Sequence, residues 1–172
     1  MTTYIALLRA VNVGGTGKLP MASLKAMADD LGYADARTYI ASGNLLFRSD
    51  DGEATVKAAL EASLAAFAGK QVGVTIRTAA EMAQVLADTP FPDRAGNRTV
   101  AIFLDGPGTL DGVTGRRNEE LRLGRREIYV WYGDGMAESK LRIPAAAVGT
   151  ARNMNTVAKL VALAEALAAA NA

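Results

Sequence analysis

The 172-residue sequence contains no cysteine and no histidine. Those two absences exclude a thiol nucleophile, a disulfide framework, a Cys/His zinc site and every histidine-based triad. Any acid–base role falls to Asp, Glu, Lys or Tyr, and any metal would need oxygen ligands such as carboxylates. The residues themselves imply no metal site and name no particular cofactor. Also missing is an apolar run approaching the roughly 20 residues that cross a bilayer. The chain enters an apolar segment at Tyr4 with no charged leader or cleavage site before it. We therefore expect a soluble cytoplasmic protein with no membrane partner. Net charge is only +1, so bulk electrostatics do not predict binding to nucleic acid or a membrane.

What is present suffices for a fold. Half of the residues are hydrophobic, enough for a sizeable core in one ordinary domain or two small lobes. Tyr4 to Val13 is a nearly continuous apolar strand, expected to be buried on both faces. Pro20 then sits where a first helical turn begins, Met21, Leu24, Ala28 and Leu31 recur at helical spacing, and Gly32 stops the helix. Arg37 to Ala41 and Leu45 to Ser49 read as short strands joined by a turn at Ser42-Gly43-Asn44. Val56, Leu60, Leu64 and Phe67 mark one face of a second helix. Val72, Val74 and Ile76 alternate as in a half-buried strand. The order β-α-β-β-α-β is a split βαβ, or ferredoxin-like, unit over residues 1–78.

Residues 79–172 read as a looser second α/β lobe. A helix spans Ala79 to Asp88, and Thr89-Pro90-Phe91-Pro92-Asp93 is a rigid connector. Val100 to Leu104 is a buried strand. Gly106 to Arg117 is a loop with at most a short helix. Leu121 to Leu123 and Glu127 to Tyr132 form a hairpin, and an alanine-rich closing helix packs back from about Asn155. The expected class is α+β, with two ferredoxin-like (α/β-plait) lobes of mainly antiparallel sheets.

Two polar loops carry the functional signal. Leu8-Arg9-Ala10-Val11-Asn12-Val13-Gly14-Gly15-Thr16-Gly17-Lys18 leaves the first strand, and Gly149-Thr150-Ala151-Arg152-Asn153-Met154-Asn155-Thr156 precedes the last helix. Each lies in a stretch with several basic residues and no acidic one, Met1 to Ala28 and Ser139 to Ala164. The first is not a P-loop, because Asn12 stands where that motif has its first glycine and Leu19 where it has Ser or Thr. What remains is a glycine loop at a strand end beside a lysine, which favours an anion. Equally, the glycines serve a tight connection and nothing more. Ser42 and Asn44 either bond a ligand or stabilise their own turn, with Asn44 in a left-handed conformation. Asn153 or Asn155 caps the last helix. Arg152 beside that cap calls for an anion or an internal carboxylate to offset the helix dipole.

These residues define the expected site for a small anionic or phosphate-bearing ligand: Arg9, Asn12, Gly14, Gly15, Lys18, Ser42, Asn44, Lys140, Arg152 and Asn153. Arg152 and Lys18 would supply charge, Asn12 and Asn44 orientation, and the Gly14-Gly15 amides a cradle. Were the protein an enzyme, Lys18 or Lys140 would carry the proton. One alternative is a nucleic-acid-binding module using the Arg122–Arg126 hairpin, with Tyr129 and Trp131 on one strand face as a stacking platform or as plain packing. Another is a homo-oligomeric interaction protein without a ligand.

Leu7-Leu8-Arg9-x-Val11-Asn12-Val13-Gly14-Gly15 followed by Lys18-Leu19-Pro20-Met21 carries a recognisable pattern. It continues in Tyr39-Ile40-x-Ser42-Gly43-Asn44-Leu45-x-Phe47, Pro90-Phe91-Pro92, Glu127-Ile128-Tyr129, Ser139-Lys140-Leu141 and Thr150-x-Arg152-Asn153-x-Asn155-Thr156-x-x-Lys159-Leu160. This string resembles the bacterial family known as domain of unknown function 1697, over essentially the whole chain. The family usually has Gly where this chain has Ala10 and Trp where it has Met154, and residues 107–119 look short. The resemblance implies two α/β-plait-like lobes and no established activity.

Overall fold

The structure is a computed structural model and describes residues 1–12 and 18–171. The chain divides into two compact units, Met1–Met82 with Leu160–Ala172, and Ala83–Lys159.

In the first unit the elements run β1 (Thr2–Leu8), α1 (Met21–Asp30), β2 (Ala34–Thr38), β3 (Asn44–Ser49), α2 (Glu53–Ala68) and β4 (Val74–Thr78). The strands form one sheet in the order β2-β3-β1-β4, each neighbour antiparallel. One face of the sheet, with Tyr4, Ala6, Leu8, Leu45, Phe47, Val74 and Ile76, packs into a core with Leu24 and Ala28 of α1 and Val56, Leu60 and Leu64 of α2. The i, i+4 spacing of those helix residues makes a single apolar stripe. Gly69 ends α2 in a left-handed conformation, φ 69°, its N–H donating to the Ala65 carbonyl. Ile5, Leu7 and Leu46, on the opposite strand face, are buried as well, as the unbroken apolar run of β1 predicts.

Three local expectations need correction. The first strand ends at Leu8 and not at Val13, because Ala10 and Asn12 take positive φ, 53° and 54°, which regular strand pairing does not accommodate. The second strand lies earlier than its Arg37–Ala41 expectation, with Asp35 at φ 56° where the pairing register shifts against β3. Asn44 is the fully buried first residue of β3, so the left-handed positions of that turn are Ile40 (φ 50°) and Gly43 (φ 91°).

The second unit contains β5 (Thr99–Phe103), β6 (Glu120–Leu123), β7 (Glu127–Trp131) and β8 (Thr150–Asn153). Their order, β6-β7-β5-β8, repeats that of the first sheet strand for strand, again antiparallel. The crossovers differ. Residues 104–119 and 132–149 hold no α-helix; they carry turns, one antiparallel bridge between Thr114 and Arg142, and a short 3-10 stretch at Pro144–Val148. These connectors bury Val100, Ile102, Leu104, Leu121, Ile128 and Val130 under Leu110, Val113, Leu141 and Ile143. The division between units falls within α3 (Ala79–Ala87) and α4 (Met154–Ala170). The molecule is thus α+β, two ferredoxin-like lobes built on four-stranded antiparallel sheets. No helix among the described residues is long and apolar enough to cross a membrane.

Candidate functional site

The chain leaving β1 is tied down on both sides. The Leu8 N–H donates to the Gly43 carbonyl and the Arg9 N–H to the Gly73 carbonyl, both at 2.9 Å. Gly43 must be glycine here: a Cβ would lie 2.6 Å from Val11 Cγ2 and 2.9 Å from Leu8 Cβ. At Gly73 a Cβ would meet Arg9 Nε at 3.3 Å, so the Arg9 guanidinium lies close against that backbone. Asn12 then folds the loop. Its Nδ2 donates to the Leu19 and Ala41 carbonyls at 2.9 Å each, and its Oδ1 accepts from the Leu19 N–H at 2.7 Å.

This closed loop forms one wall of a cleft of about 210 Å³, through Ala10, Val11, Lys18 and Leu19. The other walls are the last turn of α2 (Leu64, Phe67, Ala68) and the link to β4 (Lys70, Val72). Positions 64, 67 and 68 share a helix face by their i, i+3, i+4 spacing. Val11, Leu19, Leu64 and Val72 are buried and make the floor, while Phe67 is half exposed at 50%. Lys18 and Lys70 are exposed at its margin. Arg9 adjoins Ala10 in the chain and rests on Gly73, next to Val72, so three cations gather at this end of the first sheet.

The predicted site residues fall into separate groups. Arg9, Asn12, Lys18, Ser42 and Asn44 belong to the first unit, and Lys140, Arg152 and Asn153 to the second. Gly14 and Gly15 lie outside the described residues. Of the first group, Lys18 lines the cleft and Asn12 shapes the loop beside it. Asn44 is wholly buried, donating to the Tyr39 carbonyl at 2.8 Å and the Ser42 hydroxyl at 3.1 Å. In the second group Asn153 caps α4, its Oδ1 accepting from the Thr156 N–H at 2.9 Å. Arg152 is 6% exposed, and its Nη1 donates to the Thr150 hydroxyl at 2.6 Å and the Ala151 carbonyl at 2.9 Å. Burial pulls its guanidinium down to about 10. Lys140 is exposed, in a segment whose neighbour Ser139 donates to Glu119 at 2.5 Å.

Sequence reasoning did not single out Lys70 or Phe67 for this cleft. Phe67 was placed on one helix face with Val56, Leu60 and Leu64, and it stands one turn beyond Leu64, where the helix is ending, half exposed. The available signal was the cation placed directly after the helix-ending Gly69, at the negative end of the helix dipole.

The hairpin alternative loses its platform. Tyr129 is 2% exposed and its hydroxyl donates to the Val85 carbonyl at 2.8 Å. Burial, then the nearby Glu127 carboxylate, push its phenol above the ordinary range. Trp131 carries the Arg94 guanidinium over its ring, 3.9 Å from the centroid. No group of three or more Asp or Glu side chains able to hold a metal occurs among the described residues.

Among solved structures, the chain is similar to the conserved bacterial protein SP0830 from Streptococcus pneumoniae, at 24% sequence identity and a TM-score of 0.77. The likeness covers 95% of this chain and 98% of that one, and shows a shared fold. No curated protein matches the sequence. Residues 1–129 match the family described as protein of unknown function (DUF1697), and the chain belongs to that family.

Proposed function

We propose that the protein binds a small anionic ligand in the cleft between the loop after β1 and the end of α2. The observation that carries this reading is the pairing of a formed concavity with two lysines, Lys18 and Lys70, among its lining residues. A concave site with few charged groups is what orients a small ligand. Lys18 comes from the loop closed by Asn12 and Lys70 from the turn after Gly69, so two separate backbone anchors hold the charges. Arg9 adds positive potential from the adjoining strand end, which favours capture of an anion.

A thermal-shift screen against organic acids, phosphosugars and nucleotides tests the proposal. A ligand present at 100 times its Kd stabilises the folded chain by about 2.7 kcal/mol. The expected result is a concentration-dependent rise in melting temperature with an anion, abolished in the Lys18→Gln/Lys70→Gln double variant. Equal shifts in the wild type and the double variant would remove the cleft from consideration, as would the absence of any anion response.

A further inference from the structure

We infer that the ligand of this cleft is amphipathic, an aromatic acid with a ring-sized apolar body and one anionic group. The inference rests on the anion-binding reading above and names the class of anion. Apart from Lys18 and Lys70, every described side chain lining the cleft is apolar: Ala10, Val11, Leu19, Leu64, Phe67, Ala68 and Val72. Among the described residues, that lining offers no side-chain hydroxyl, amide or carboxylate. The hydroxyls of a sugar phosphate, or the edge of a nucleobase, would lose their water there without gaining side-chain partners. Burying unpaired polar groups is unfavourable, so such ligands are selected against.

Size points the same way. A cavity of about 150 Å³ lined by apolar side chains holds benzene, and this cleft is about 210 Å³. It has room for one ring or two fused rings with the acid group directed to the lysines. Inorganic phosphate would leave most of the apolar wall wet. Phe67 adds a specific contact. It is a large aromatic side chain left 50% exposed at the cleft while Leu64, one turn earlier, is 1% exposed. Covering it with a ligand ring removes apolar surface from water and permits an offset or edge-to-face ring pair.

The test measures affinities of naphthalene-2-carboxylate, naphthalene-2-methanol, acetate and inorganic phosphate by calorimetry, for the wild type, Phe67→Ala and Lys18→Gln/Lys70→Gln. Phe67 is half exposed, so its truncation leaves the buried core of α2 in place, and a far-ultraviolet circular dichroism spectrum verifies this. We expect the naphthoate to bind the wild type at least about tenfold tighter than acetate, phosphate or the neutral alcohol, tenfold being a modest share of the area term for a ring. Phe67→Ala should lose about tenfold for the naphthoate and nothing for acetate, and the lysine variant should lose the naphthoate preference over the alcohol. If phosphate or acetate binds as tightly as naphthoate, with lysine dependence and no effect of Phe67→Ala, the aromatic inference is overturned while anion binding stands. If the alcohol binds as well as the acid, or if no probe binds, both readings fall.

Discussion

The side chain of Asn12 and the main chain of Leu19 form a closed pair: Nδ2 donates to the Leu19 carbonyl at 2.9 Å while Oδ1 accepts from the Leu19 N–H at 2.7 Å. One amide thus takes the place of a strand neighbour and ties Asn12 to Leu19. A third bond, to the Ala41 carbonyl at 2.9 Å, fastens the loop to the β2–β3 turn. Asn12 also sits at φ 54°, a region asparagine tolerates better than most residues.

These two roles separate experimentally. Asn12→Ala loses all three bonds and strains the backbone, and we expect a loss of about 2.5–6.5 kcal/mol from bonds of about 0.5–1.5 kcal/mol each plus a left-handed penalty of about 1–2 kcal/mol. Asn12→Gly loses the bonds without the strain and should be about 1 kcal/mol less destabilised than alanine. Asn12→Asp keeps an acceptor for Leu19 but turns a carboxylate oxygen toward two carbonyls, so it should fall at least as far as glycine. Urea unfolding of the three variants gives the ranking; an alanine variant as stable as wild type would refute the clamp.

Ala10 and Ile40 occupy left-handed positions, φ 53° and 50°, where a Cβ is disfavoured and a β-branched side chain more so. Glycine at either site should stabilise the protein by about 0.5–1 kcal/mol, the left-handed cost relieved being partly offset by the greater freedom of glycine in the unfolded chain. Gly43→Ala should do the opposite, losing more than about 2 kcal/mol, because its Cβ would collide with Val11 and Leu8 as well as take an unfavourable φ. Melting temperatures of the three variants check both signs.

How much of this was legible in the sequence depends on the range of the interaction that decides each feature. The strand and helix order followed from local periodicity, because Leu24 and Ala28, or Val56, Leu60 and Leu64, repeat at the helical period wherever they pack. The cap was readable as Asn153 or Asn155, and the structure selects Asn153, whose bonded partner Thr156 is only three positions away. The end of β1 was not readable, since the apolar run to Val13 gives no sign that Ala10 turns left-handed to let Asn12 reach Ala41, 29 residues away. Asn44 looked like a turn residue by composition, and only the pairing of β3 with β1 reveals its burial. At the candidate site, Lys18 was found from its loop. Lys70 was not, because its relevance comes from the meeting of that loop with the end of α2.

Ser139 and Glu119 join the two connectors of the second unit that lack an α-helix. The Ser139 hydroxyl donates to Glu119 Oε2 at 2.5 Å, and Oε1 accepts from the Arg117 N–H at 2.7 Å. The Ser139 bond, and then the Arg117 N–H, hold the Glu119 carboxyl below the ordinary range. The unfolded chain therefore takes up this proton first as pH falls. The stabilisation is complete above the ordinary carboxylate range and is lost as pH drops through the lowered folded value. Ser139→Ala removes the larger cause and also frees the Leu141 N–H, which donates to the Ser139 oxygen at 3.2 Å. The gap in stability between wild type and Ser139→Ala should be widest at pH 7 and narrow as pH falls below 4, leaving only the pH-independent Leu141 part. Unfolding in urea across that range measures the gap, and a difference that stays constant with pH would separate Ser139 from the carboxylate.

Arg94 and Trp131 decide whether the hairpin can read a nucleobase. The guanidinium lies 3.9 Å from the ring centroid and also approaches Glu120 at 3.8 Å, which holds it over the indole. A base would have to displace that cation to stack on the covered face, forfeiting a contact of about 0.5–1 kcal/mol at a half-exposed site. Trp131 is the only tryptophan in the sequence, so its fluorescence reports on this surface alone. We expect oligothymidylate at low salt to leave the emission of the wild type unchanged. Arg94→Gln should shift that emission and lower stability by less than about 1 kcal/mol. Salt-sensitive quenching of the wild type would instead mean that single strands reach the uncovered side of the indole, and the arginines of the hairpin would then regain a role in holding the phosphates.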